Sequence, residues 1–270
     1  MNYVLRIALG SAAIAAIAGE SPVAAGSITE PICADRPGKG SATCAAPKGH
    51  WQVETGLADW SLTRNQGTRS TDLKLGETAI KYGISDRTHI ELTFTPLVRN
   101  TSRDGGVHRR DSGFGDVNLK VKQELTGDGA PLAVSLYPYV KIPTATKPIG
   151  NGKVEGGLIV PLALSLGKSA FSLSAAPELD ASLDGDGHGY HPHMAQSLSL
   201  DLQATEALSM SAEIWGSWDW DPAGTTREAS VDGSFAYKIG SEWQIDGGAN
   251  FGLNRSTADV EIYGGVSVRF

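Results

Sequence analysis

The densest group of side chains able to do chemistry is HGYHPH, residues 188–193, with Asp184 and Asp186 just before it. Imidazole and carboxylate are transition-metal ligands. The group sits between two strand-like segments, however, and no further residue is placed to orient the rings. It reads as a solvated loop, and no metal is assigned. A hydrolase would need a serine with a base beside it. His50 precedes the first strand and His89 falls at a short turn. No Ser–His pair emerges on an outer face, so no catalytic residue and no cofactor are assigned and the chain is not read as an enzyme. The only two cysteines, Cys33 and Cys44, both precede the first strand. In an oxidising compartment they can pair and close a small loop, a bond worth roughly 2–3 kcal/mol on chain-entropy grounds.

The remaining charges have a rhythm of two. Lys120 and Lys122 alternate with apolar residues, as do Glu178 and Asp180. Alternation puts such residues on one face of a strand. The same face takes Lys141, Asp201, Glu213, Asp232 and Asp246. Charges of one sign lining an enclosed space select ions, and the acids here outnumber the bases. A water-filled interior would favour cations; the same side chains could instead pair into a salt-bridged plug.

The elements that must carry these charges are clearest at the C-terminus. In residues 243–253 and 260–270 apolar and polar residues alternate, giving two arms of ten or more residues around a turn-like stretch. Soluble strands average ~5–6 residues, whereas a tilted strand needs ~9–11 to cross a bilayer. The pattern recurs along the chain and predicts twelve strands, joined alternately by short turns and long polar loops. Leu73 and Leu75 fall out of phase with Thr78, Ile80 and Tyr82, which places a bulge near Gly76. The outward series holds no charge at its centre. Trp51, Tyr82, Phe171, Tyr237, Trp243 and Phe270 fall at the short-turn ends, and Trp218 and Trp220 at a loop end. Aromatic girdles at two interfaces sort this way. The expected fold is all-β, a twelve-stranded antiparallel transmembrane β-barrel of the outer-membrane type. Pro96, Pro138, Pro161 and Pro177 each remove a ladder donor from a strand so drawn.

Of 270 residues, 40% are hydrophobic, and net charge is −7. A barrel tolerates this because only alternate residues face lipid, and the acidic balance argues against a nucleic-acid partner. Residues 1–25 read as a signal peptide, with Arg6 ahead of a short apolar core. Residues 26–49 read as an irregular periplasmic segment and 50–270 as the barrel. The expected location is the cell outer membrane. The expected partners are outer-membrane lipid, small organic solutes, and the barrel-assembly machinery through the C-terminal strand ending in Phe270.

Five segments carry a family resemblance: KYGISDR (81–87), GFGDVNLKVK (113–122), VKIPT (140–144), WQIDGG (243–248) and the terminal GGVSVRF. In order and spacing they resemble the outer-membrane channel family named for the meta-pathway of phenol degradation. Gly113, Gly115 and Asp116 match its motif opening strand 4; Ala145 departs from its usual Thr-Gly. The resemblance implies a passive channel or transporter for small hydrophobic or aromatic compounds and brings no catalytic residues. The rival reading is a non-conducting structural or adhesive barrel acting through its extracellular loops.

Overall fold

A computed structural model describes residues 31–65, 67–127 and 129–270; the expected signal peptide lies outside them. The described chain is one antiparallel sheet closed on itself. Its segments are β1 (Trp51–Asn65), β2 (Thr68–Ser85), β3 (Thr88–Phe94), β4 (Leu97–Asp104), β5 (Val107–Gly113), β6 (Val117–Glu124), β7 (Leu132–Ile142), β8 (Glu155–Ile159), β9 (Leu162–Ser165), β10 (Phe171–Leu183), β11 (Tyr190–Gln203), β12 (Leu208–Asp219), β13 (Thr226–Ile239), β14 (Trp243–Gly252) and β15 (Val260–Arg269). β1 pairs with β2 on one edge and β15 on the other, which closes the ring. β3 with β4, β5 with β6 and β8 with β9 are each one barrel strand interrupted once, and register with the neighbouring strand is kept across each interruption. Twelve strands therefore form the wall.

The prolines explain the interruptions. Pro96 divides β3 from β4 and faces Gly76, whose φ of +72° turns β2 at the same level. A side chain there would strain the backbone. The irregularity expected near Gly76 is this kink, not a bulge: β2 keeps its register with β1 and with β3–β4 across it, and the register shift at this level lies at Gly56–Ala58, between β1 and β15. Pro161 divides β8 from β9, and its carbonyl accepts the Ser135 N–H at 3.0 Å. Pro177 stays inside β10, its carbonyl accepting Val160 N–H at 2.9 Å. Opposite Pro138 the β6–β7 ladder skips between Lys120 and Gln123.

Polarity is the reverse of a soluble protein's. Ile214, Ile262, Leu179 and Phe251 are more than half exposed on the outer face. Gln52, Glu54, Lys81, Lys122, Ser135 and Ser267 are buried inside. Apolar exposure on this scale needs a lipid solvent, and two stacked sheets would bury these leucines and valines instead.

Three expectations need correction. The polar stretches 62–72 and 98–113 are not loops: β1–β2 and β4–β5 continue through them as hairpins. Beyond the hydrocarbon a strand can be polar on both faces, so alternation fails as a guide. For the same reason β11 begins at Tyr190 and takes in most of HGYHPH. Third, residues 31–49 are irregular, but they run inside the ring and do not lie ahead of it. They offer backbone donors and charges that the polar lumen can pair with.

Ile214 lies outward near the middle of β12. Ile214→Arg is expected to cost about 2–4 kcal/mol and Leu208→Arg, at the strand end, about 0–1. Guanidinium unfolding from phosphatidylcholine vesicles reads the difference; equal costs would place neither in hydrocarbon.

Candidate functional site

The lumen is organised around the N-terminal segment. Apart from one bridge between Lys48 and Gly83, residues 31–50 have no place in the sheet. Ile32, Gly49 and His50 find backbone partners in Ser241 and Gly83; much of the rest relies on side chains. Glu54 accepts the Asp35 and Arg36 N–H groups at 3.0 and 3.3 Å. Glu213 accepts those of Lys39 and Gly40 at 3.1 and 3.3 Å. His89 Nδ1 accepts Ala46 N–H at 2.9 Å. Gln52 and Gln244 donate to the Cys33 and Arg36 carbonyls, both at 2.9 Å. A disulfide between Cys33 and Cys44 closes the segment into a loop.

Charge then fastens this loop. Lys81 and Lys122 are almost wholly buried on the wall. Burying an ammonium costs several kcal/mol unless it is paired. Asp35 supplies the shared partner: one oxygen lies 2.6 Å from Lys81 Nζ and the other bonds Lys122. Lys81 also bonds Glu54, and Lys122 donates to the Ala42 carbonyl at 2.8 Å. The Tyr137 hydroxyl donates to Glu91, and the Lys122 ammonium sits 4.4 Å from the Tyr137 ring centre. Burial alone would raise the Asp35 pKa, but the adjacent Lys122 and Lys81 ammonium groups overcome it and hold the carboxyl well below the usual carboxylate range. Around the loop, Arg36 pairs with Asp246 at 3.0 Å and Lys39 with Glu261 at 3.2 Å. The Lys39 ammonium also lies 4.7 Å from the Trp215 ring centre.

The nine lumen residues named from sequence divide by position. Lys122, Glu213 and Asp246 touch the loop. Lys120 sits 3.5 Å from Glu91. Lys141 bridges Asp116, at 3.5 Å, and Glu155. Glu178 accepts the Tyr139 hydroxyl at 2.7 Å, Asp201 accepts Ser174 and Ser211 at 2.7 Å, and Asp232 accepts Ser230 at 3.1 Å. Asp180 bonds His193 Nδ1 at 2.8 Å. His191, buried near the loop end of β11, has Asp184 at 2.9 Å and Asp219 at 2.7 Å on its two ring nitrogens. Among the described residues no three His, Cys, Asp or Glu side chains are grouped to hold a metal. Sequence reasoning placed Lys81 on the inward face but missed Asp35, Arg36, Lys39 and His89 as its companions in one site. His89 is not at the surface of a turn but buried inside the wall. The available signal was a cysteine pair enclosing Asp35, Arg36 and Lys39 ahead of a barrel with unpaired charges.

Among the described residues, cavities flank the loop. One of about 350 Å³, toward the short-turn end, is lined by Ala163, Ala176, Ala236 and serines 174, 197, 199 and 211. Two more, of about 400 and 320 Å³, lie toward the loop end, among Glu77, Glu91, Lys120, Tyr139 and Glu178 and among Asp59, Lys74, Trp215 and Glu261. Loop residues line all three. The arrangement is an interior partitioned by a tethered, charge-locked segment.

Residues 34–270 match the family model described as "Putative MetA-pathway of phenol degradation". The chain belongs to this family. A comparison with curated proteins gives no match. Among solved structures, the chain is similar in fold to the COG4313 outer membrane channel from Pseudomonas putida F1, with a TM-score of 0.71 and 14% identity over 87% of this chain and 99% of that one. The transport unit of the autotransporter AIDA-I from Escherichia coli matches at a TM-score of 0.50 and 10% identity, over 82% and 89% of the two chains. These likenesses concern the fold, an outer-membrane-type barrel. In this family member the barrel interior is occupied by residues N-terminal to its first strand.

Asp35→Asn removes the carboxylate shared by two buried ammonium groups. It is expected to weaken seating of the loop on the order of 3 kcal/mol, read as faster tryptic cleavage after Lys39; an unchanged rate would contradict the assignment. A depressed pKa means that the Asp35 contribution is complete above the ordinary carboxylate pKa of about 4 and is lost only as pH falls well below it. Accessibility of the loop to a thiol-independent label should accordingly stay flat from neutral pH down to about 4.

Proposed function

We propose that this protein is an outer-membrane channel for small organic molecules whose own N-terminal segment sets the bore. The observation carrying the reading is the placement of cavities on both sides of a segment held by side-chain bonds, not by the sheet ladder. Such a segment can shift without breaking the wall. Hydrophobic or aromatic solutes are the favoured class. The cavity toward the short-turn end sets Ala163, Ala176 and Ala236 beside serines, a surface that suits a compact molecule with one polar edge. Membership of a family named for phenol degradation points the same way. The outer leaflet and periplasm would be the two compartments joined, with the loop ends outside, and export would require the N-terminal signal. Folding through the barrel-assembly machinery, with Phe270 as the terminal aromatic, belongs to the same proposal. Lys120, Lys141, Glu178, Asp180, Asp201 and Asp232 would line the route, and Lys122, Glu213 and Asp246 would hold the segment that narrows it.

Planar-bilayer recording on the refolded protein tests passage. Small, fluctuating conductance is expected from the native chain, and a several-fold larger mean conductance from Asp35→Asn. Silence from both at all voltages would contradict a channel. Solute class is tested by growth of a deletion strain on limiting aromatic carbon sources, with sugars of similar size as controls. A defect confined to the aromatic sources is expected; equal growth of mutant and parent on all of them would remove the aromatic assignment.

A further inference from the structure

The β1–β2 and β4–β5 hairpins extend past the apolar belt, and their outer face carries a row of basic side chains. Register sets Arg64 opposite Arg69, Arg69 opposite Arg103, and Arg103 opposite His108. The row crosses four adjacent strands. One row nearer the membrane, Arg110 sits opposite Thr101; one further, Arg99 faces Leu73. Below them on the same face lie Leu73 and Leu75, with Trp60 opposite Leu73 and Leu97 opposite Leu75. The acids of these hairpins sort to the other face, where Asp59 pairs with Lys74 at 3.4 Å beside the lumen. Arg64, Arg69, Arg103, His108 and Arg110 are all exposed, and none makes an ion pair among the described residues.

Like charges directly opposite on neighbouring strands destabilise a sheet. Nothing in the described protein offsets the repulsion here, in a chain of net charge −7. The row stands immediately above an apolar band, at the depth where a membrane presents its headgroups. Guanidinium forks bind phosphate oxygens bidentately. We propose that this outward face of the two hairpins docks phosphate-bearing lipid headgroups of the surrounding leaflet, which anchor the β1–β5 side of the barrel. The proposal rests on placement of the barrel in a membrane and is independent of what the lumen passes.

Each basic residue at an anionic surface contributes enough that neutralising three is expected to weaken binding roughly a hundredfold. The test uses the full folded chain in detergent. Its probe is a glycolipid carrying two phosphates, lipid A, beside the same glycolipid stripped of phosphate, with bound lipid counted by native mass spectrometry. The native chain is expected to retain the phosphorylated form selectively, and less so as ionic strength rises. The Arg64→Gln, Arg69→Gln, Arg103→Gln triple variant should lose that selectivity, whereas Arg109→Gln, on the opposite face of β5, should keep it. Heat-modifiable migration on gels confirms that each variant is a folded barrel. If the triple variant does not fold, the selectivity and salt dependence of the native chain decide. Equal retention of both glycolipids, or an unaffected triple variant, would overturn the proposal. Displacement by millimolar inorganic phosphate would assign the site to a free anion and overturn the lipid docking.

Discussion

In hydrocarbon, a backbone N–H or C=O without a partner costs several kcal/mol, and no water is present to supply one. Closure of β1 onto β15 meets that demand at the seam. The same demand explains where the prolines lie. Each coincides with a break between segments, a ladder that skips, or a carbonyl that still finds a neighbouring N–H. A wall built this way turns half of every strand inward, and in a chain with this composition that half is polar and charged. The lumen therefore needs partners as much as the wall needs closure.

The N-terminal segment supplies them. Its backbone amides go to Glu54, Glu213 and His89, and its carboxylate joins two buried lysines. Buried ion pairs are weak as net stabilisers but strict about geometry, because loss of one partner leaves a desolvated charge. That strictness gives the segment a single seat. Its attachment by side chains, with a disulfide holding the loop shape, leaves the wall intact if it moves. An occluded interior and a transport role are compatible on this basis.

Much of this was readable from residue order alone. A rhythm of two over ten residues, such as Trp243 to Leu253, has few physical explanations, and the twelve strands and outward aromatics follow from it. The kink at Gly76 was legible because Leu73 and Leu75 fall out of phase. The extent of strands beyond the membrane was not legible. Arg99 to Asp111 has no apolar rhythm because it extends beyond the apolar belt and is polar on both faces, so its hairpin resembled a loop. The seat of Asp35 was equally hidden. Its partners Lys81 and Lys122 are 46 and 87 positions away, and only the curvature of the closed sheet brings them together. The cysteine pair signalled a loop without saying where it would lie.

The direct test of the inverted polarity is tryptophan quenching by lipids brominated near the headgroup. Trp243 stands on the outer face at a short-turn end, half exposed, whereas Trp215 points inward beside Lys39. In vesicles of such lipid, a variant keeping only Trp243 should be strongly quenched, and one keeping only Trp215 should be spared. Equal quenching of the two, or the reverse order, would mean that the apolar face does not meet the bilayer.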